Sequence, residues 1–162
     1  KSLTDEEFRE CFGFMKNYLI ELYGESAVSD ENFEIWKLNR QAKDNRFFIK
    51  ISKQDTSCGY AEIMILDNDT LYFCDIIIKE EMRRTRVAYE FVKYVLNLPE
   101  FKDFDEIYLH INRNNKTSYN AWAHLGLLEI EVGEKSNKYK IQREDIEKFF
   151  RRERNIYDKK SC

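Results

Sequence analysis

Apolar residues recur at Phe8, Cys11, Phe12, Met15, Leu19 and Leu22, close to the 3.6-residue period of an amphipathic helix. Thr4 precedes them as a capping residue, and Glu7 stands at the capping-box position behind Asp5 and Glu6. The helix therefore starts at Thr4, and Gly24 stops it. Beyond it the pattern changes. Residues 32–38 alternate, with Phe33, Ile35 and Trp36 as their apolar content, and predict a first strand. Residues 46–51 predict a second, with Phe47, Ile49 and Ile51 on one face, and 59–66 a third. The acidic segment 67–70 is a compact turn of the kind that joins antiparallel strands. Residues 71–78 are the fourth and most apolar strand, as expected of a central one buried on both faces.

Helical spacing returns at 87–98, through Val87, Phe91, Val95 and Leu98, and ends at Pro99. A strand at 106–111 and a helix at 117–125 follow, the latter stopped by Gly126. Segments 127–132 and 138–141 form a hairpin around Gly133. The charged tail, 143 to about 157, is an amphipathic helix packing through Ile146, Phe149 and Phe150. Four successive strands imply an antiparallel meander, and the strand–helix–strand unit after them a parallel crossover. The expected fold is thus an α/β (α+β) domain spanning 1–162. Its central sheet is mixed, mostly antiparallel and about seven-stranded, with helices on both faces.

Composition narrows the function classes. Aromatic residues make up 15% of the 162 residues, which excludes a disordered chain. A net charge of −3 gives no bulk attraction to nucleic acid or membrane. The arginines at 151, 152 and 154 are interleaved with Glu147 and Glu153 and read as a solvated helix face. Cys11, Cys58, Cys74 and Cys162 show no metal-ligand spacing with the two histidines. No secretory leader or membrane-spanning run is evident, so free thiols and a cytoplasmic location are expected, with no metal.

The segment between the fourth strand and the next helix carries the chemistry. It reads Ile-Lys-Glu-Glu-Met-Arg-Arg-Thr-Arg-Val-Ala from Ile78 to Ala88. Ile78, Glu81, Arg83 and Ala88 match the pattern Val-x-Pro-Glu-x-Arg-Gly-x-Gly-x-Gly/Ala, while Arg84 and Arg86 replace its two glycines. A second stretch has Leu109 and Ile111 leading into Asn115, Ser118, Trp122, Gly126 and Leu127. It follows Asn-x-x-Ala-x-x-x-Tyr-x-Lys-x-Gly-Phe, with serine for alanine and tryptophan for tyrosine. In order, separation and element type, the pair resembles the GNAT superfamily of N-acetyltransferases over roughly 33–141.

That resemblance implies acetyl-CoA as cosubstrate and no metal. The turn Arg83, Arg84, Thr85, Arg86, Val87 and Ala88 would hold the pyrophosphate at a helix N-terminus. The backbone of Ile76, Ile77 and Ile78 would bond the pantetheine arm, and Asn115 and Trp122 would meet the cofactor from the neighbouring helix. A side chain in place of each glycine costs about 1 kcal/mol. Guanidinium–phosphate bonds of about 1.5–3 kcal/mol each offset that cost. An N–H of Ile77 or Ile78 would stabilise the oxyanion.

The acid and base are open. Trp122 cannot supply the proton that the family tyrosine gives the leaving thiolate. Tyr119 lies at i−3 as a substitute. Asp75, His110 and, less so, Glu62 are candidate bases, and water is another. His110 faces the opposite side of the sheet from Leu109 and Ile111, and His124 is a surface residue. The expected activity is acetyl transfer to a primary amine of a small molecule or protein by direct attack. The acids Glu25, Asp30, Glu31 and Glu34 read first as a solvated loop, and alternatively as a patch that would favour a cationic amine. The alternative is a non-catalytic module binding a CoA-type ligand or a protein. No nucleic-acid or membrane partner is expected, and the chain would be a monomer or homodimer.

Overall fold

The computed structural model describes residues 3–41, 45–66 and 70–160. Its helices are α1 (Asp5–Tyr23), α2 (Asp30–Arg40), α3 (Val87–Leu96), α4 (Lys116–Ala123) and α5 (Arg143–Lys160). Its strands are β1 (Arg46–Lys53), β2 (Thr56–Leu66), β3 (Thr70–Ile78), β4 (Glu106–Asn112), β5 (Leu128–Val132) and β6 (Ser136–Gln142). They form one six-stranded mixed sheet in the order β1-β2-β3-β4-β6-β5. No helix among the described residues is long and apolar enough to cross a membrane.

The sheet has six strands rather than about seven because 32–38 is helical. Ser29 caps α2 by accepting from the Asn32 N–H at 3.2 Å. Phe33 is buried, Trp36 half-buried and Ile35 exposed, so the apolar pair that matters is spaced i, i+3 and the alternation misled. Phe33 and Trp36 pack with Phe8, Phe12 and Phe48, the Phe8–Trp36 centroids lying 6.0 Å apart, edge to face. Helix α1 carries the full capping box at Thr4 and Glu7, and Gly24 ends it at φ +82°.

Contact density divides the chain into two compact units, Lys1–Met64 with Cys74–Leu98, and Ile65–Phe73 with Pro99–Cys162. In the first, β1 and β2 pair antiparallel through a two-residue turn with Gln54 and Asp55 both at positive φ. That backbone matches the right-handed strand twist but usually selects Asn-Gly, so this hairpin carries no compositional signal. Phe48 and Ile51 are the buried residues of β1, while Phe47 and Ile49 are half-buried. The expected face of Phe47, Ile49 and Ile51 is therefore corrected, and the ladder irregularity between Ile51 and Ser52 accompanies the change. A Cβ on Gly59 would overlap the Ile77 carbonyl oxygen, so glycine permits β2 to approach β3 there. The turn expected at 67–70 lies mostly outside the described residues.

In the second unit, β3 and β4 pair in parallel through Leu71↔Ile107, Tyr72↔Tyr108 and Phe73↔Leu109. Both strands continue beyond the last of these pairs, β3 to Ile78 and β4 to Asn112. Ile107, Leu109 and Ile111 are buried, while His110 between them is exposed. Gly126 ends the α4 segment at φ +88°, where an added Cβ would lie 2.9 Å from Cβ of Asp145 at the start of α5. Ile146 of α5 is fully buried and Phe149 and Phe150 are half-buried, as the sequence pattern predicts.

Candidate functional site

The turn that follows β3 is built by its own backbone. After β3 a single helical turn at Glu80–Met82 is closed by Met82 N–H to the Lys79 carbonyl (2.9 Å) and Arg83 N–H to the Glu80 carbonyl (3.1 Å). The Arg83 guanidinium reaches back and donates from Nε to the Ile78 carbonyl at 3.0 Å. The Thr85 hydroxyl donates to the Met82 carbonyl. Arg84 then sits at φ +64° and Arg86 at φ +69°. These are the positions where the resembling motif has glycine, and the chain adopts the left-handed conformation there with arginine, at a cost of about 1–2 kcal/mol per residue.

The first helical bond of α3 runs from the Glu90 N–H to the Arg86 carbonyl at 3.0 Å, and no side chain caps the helix start at Arg86. The N–H groups of Val87 and Ala88 thus have no helical acceptor, and the positive end of the helix dipole lies beside them. With arginines at 83, 84 and 86, this constellation has the donors and the sign of charge to hold a pyrophosphate.

Asp75, one of the candidate bases, lies on β3 in the same unit as this turn. Its carboxylate pairs with Arg40 of α2 at 3.1 Å. Arg40 also pairs with Glu62 at 3.2 Å, and Arg46 pairs with Glu62 at 3.1 Å. Glu62 is 4% exposed and held by two cations, which makes it an ion-pair partner rather than an accessible base. Burial raises the Asp75 carboxyl above the ordinary range, and Arg40 opposes the rise. Its side chain is 40% exposed, so a proton can still reach it. The sequence reading missed Arg40 because it ended a strand at 38, whereas α2 runs on to Arg40. Burial also pushes the Cys74 thiol up to about 12 and raises Cys11 further. Neither is a nucleophile near neutral pH.

In the second unit, Asn115 is the N-cap of α4, and its Oδ1 accepts from the Ser118 N–H at 3.0 Å. Trp122 packs on Phe73, the last residue of β3 paired with β4, with centroids 5.8 Å apart. Tyr119 goes elsewhere. Its ring meets Tyr139 of β6 edge to face at 6.0 Å, so it does not share the surroundings of Trp122. His110 lies 5.5 Å from the Tyr72 ring. Partial burial and then Lys138 lower its pKa, with Glu131 opposing.

Also in this unit, a cavity of about 370 Å³ opens where β4 ends and α4 begins, with Tyr119 and Tyr139 in its lining. Arg113 and Lys116 line it, and nothing in the sequence patterning singled them out. Glu25, Asp30, Glu31 and Glu34, expected to favour a cationic amine, are exposed. Asp30 and Glu34 already lie 3.6 and 3.8 Å from Arg9. Among the described residues no group of His, Cys, Asp and Glu could hold a metal ion.

Residues 5–127 match the model of the acetyltransferase (GNAT) family. The chain belongs to the GNAT family. Solved structures share the fold at low identity. A PaiA N-acetyltransferase from Thermoplasma acidophilum in complex with coenzyme A is 13% identical, covers 88% of this chain and 96% of its own, and has a TM-score of 0.66. A spermidine N-acetyltransferase from Vibrio cholerae, in complex with CoA and spermine, is 17% identical, covers 90% and 95%, and has a TM-score of 0.67. The ribosomal-protein-S18-alanine N-acetyltransferase from Escherichia coli is 9% identical, covers 88% and 91%, and scores 0.61. No curated protein matches the chain in sequence. The GNAT match ends at Leu127, so it takes in both motif segments and leaves β5, β6 and α5 outside.

Proposed function

We propose that this chain is an acetyl-CoA-dependent N-acyltransferase that acetylates a primary amine by direct attack. The observation that carries the reading is the left-handed backbone at Arg84 and Arg86. Glycine adopts that geometry almost without cost and arginine does not, so keeping it with arginine indicates that the shape of the turn is in use. The neighbours solved with coenzyme A are consistent with that use.

In this reading the N–H groups of Val87 and Ala88 and the arginines of the turn bind the pyrophosphate. The backbone of Ile76 to Ile78 aligns the pantetheine arm. The neutral amine attacks the thioester carbonyl, and its oxyanion is held by the N–H of Ile77 or Ile78. The intermediate collapses to the amide and the thiolate of coenzyme A. Asp75 takes the proton the ammonium loses, since its raised pKa matches that task better than an ordinary carboxylate would. His110 and Tyr119 are less suited, His110 for its place beside Tyr72 and Tyr119 for its contact with Tyr139. With tryptophan at 122, the departing thiolate takes its proton from water. Buried reduced Cys11 and Cys58 fit a cytoplasmic location, and the spermine of the Vibrio cholerae neighbour is an example of the amine class.

One observation favours a second reading. Trp122 offers no ionisable group where a GNAT enzyme usually has one, as a module that binds CoA without turnover would show. Isothermal titration with acetyl-CoA and with coenzyme A separates the cases. Micromolar binding of both, weakened by Arg86→Glu, supports the acyltransferase reading and justifies an amine screen. Binding without turnover on any amine supports the second reading. No binding at millimolar ligand overturns both.

A further inference from the structure

We infer that the cavity between the end of β4 and the start of α4 is a binding site for the phosphate or carboxylate group of a small ligand, gripped by Arg113 and Lys116. Its volume of about 370 Å³ lies in the range of small-molecule sites. The two cations that line it have no acidic partner among the described residues. Some cations of the chain are paired with acids, as at Lys37, Arg40, Arg46, Lys50, Lys79 and Lys140, while others such as Lys16 and Lys102 are, like these two, without an acidic partner among the described residues. Both side chains are exposed, and it is their convergence on one concavity that points to an external anion as partner.

The frame around them is set in advance. The Arg113 N–H donates to the Lys135 carbonyl at 3.0 Å, tying the loop to the turn before β6. The Asn114 N–H donates to Asn112 Oδ1 at 2.9 Å, and the Asn115 N–H to the Asn112 carbonyl at 2.9 Å. Lys116 is the first residue of α4, so the helix dipole adds to its charge. The nearby carboxylate of Glu129 is occupied, accepting from Asn137 Nδ2 at 2.8 Å and from the Tyr139 hydroxyl at 3.1 Å. Those bonds hold the Tyr139 ring, and Tyr119 packs edge to face on it, so the two rings together form one apolar side of the cavity. A ligand with a flat or short apolar body and a terminal anion fits these walls and charges.

The anion has two sources of the same chemistry, the 3′-phosphate of coenzyme A or an anionic group on the acceptor. Assigning it to either rests on the acyltransferase reading, whereas anion binding itself does not. The first test is therefore a titration of ¹⁵N-labelled protein with inorganic phosphate at low salt, followed by amide shifts. Saturable shifts at 112–120, weakened tenfold or more in the Arg113→Gln, Lys116→Gln double variant and unchanged by Lys148→Gln on α5, support the site. Absence of shifts at 112–120, or shifts that the double variant leaves intact, overturns it. A thermal melt of the double variant confirms that it folds. The amides of 84–88 report separately on the turn after β3, so a failure of cofactor binding is read there and not at the cavity.

Two arms then distinguish the sources. If 3′-dephospho-coenzyme A binds more weakly than coenzyme A to the natural protein but equally to the double variant, the cofactor supplies the anion. If both bind alike and the phosphate shifts at 112–120 persist under saturating coenzyme A, the acceptor supplies it. An amine carrying a carboxylate or phosphate should then have a KM several-fold lower than its ester, a difference lost in the double variant.

Discussion

The turn at 83–88 and the helix at 115–122 hold the two motif segments of the chain, and they depart from the GNAT pattern in opposite ways. In the turn the residues differ and the shape is kept, since Arg84 and Arg86 both stand at positive φ. In the helix Asn115 caps α4, but tryptophan stands at 122 where the family pattern has a tyrosine able to give a proton. A function performed by backbone N–H groups survives replacement of the side chains, provided the strain is tolerated. A function performed by a phenol does not survive in an indole. The chain should therefore bind its cofactor near the family norm and turn over below it.

The sharpest test of that difference is Trp122→Tyr. Restoring a phenol supplies a general acid for the thiolate, an effect of about 10²-fold or more. The expected result is a rise in kcat with KM for acetyl-CoA nearly unchanged, followed as free thiol released in the presence of a good amine. An unchanged kcat would show that thiolate departure is not limiting, and would return the weight to proton removal from the amine.

Asp75→Asn addresses that proton next. A base must be ionised to act, so kcat/KM should rise with pH through the raised pKa of Asp75 and level off above it. The asparagine variant should lose about 10²-fold at the plateau and lose that limb of the profile. A variant that keeps the limb places the base elsewhere. Since Arg40 pairs with Asp75, Arg40→Gln should move the limb to higher pH, because a cation that stabilises the carboxylate has gone.

The same division explains what was legible in the sequence. Capping and periodicity located α1, α3 and α5, because burial of a stripe and a capping box are written in local residue order. The segment at 32–38 was misread, since Phe33, Ile35 and Trp36 satisfy a short alternation as well as a helical pair. Its N-cap, Ser29, and the cations Lys37 and Arg40 in its last turn were the available correction. The hairpin at Gln54 and Asp55 left little trace because glutamine is not a usual turn former at positive φ and no glycine follows the aspartate. The turn after β3 was recognisable as a family motif from its flanks, Glu81, Arg83 and Ala88, but not from the replaced glycines. The Arg40–Asp75–Glu62 pairing and the cavity at Arg113 and Lys116 depend on residues far apart in sequence, which no local pattern announces.

Arg86 gives a smaller effect and a direct probe of shape against charge. Arg86→Val places a β-branched residue at φ +69°, a conformation such residues avoid. Acetyl-CoA affinity should fall about tenfold, equivalent to about 1.4 kcal/mol. Arg86→Gly keeps the shape and loses the charge. Relief of about 1–2 kcal/mol of strain is offset by a gain in chain entropy of about 0.4–1 kcal/mol in the unfolded state, so thermal stability should change little. If Gly weakens binding as much as Val, the guanidinium rather than the turn holds the ligand.

Asn115 offers the smallest effect and separates two roles of one side chain. Its Oδ1 caps α4, while its amide N–H₂ has no partner among the described residues. Asn115→Ala removes both and should cost about 1 kcal/mol of stability through the lost cap. Asn115→Asp keeps the capping oxygen and adds a charge favourable to a helix N-terminus, so stability should be retained or slightly raised. Asp cannot donate. If the amide N–H₂ bonds the cofactor, both variants weaken acetyl-CoA binding by a similar few-fold factor while only Ala lowers the melting temperature. If Asn115 serves only as a cap, Asp binds as the natural protein does. In that case the motif asparagine is kept here for the helix, and the contrast between backbone and side chain reaches every motif position on α4.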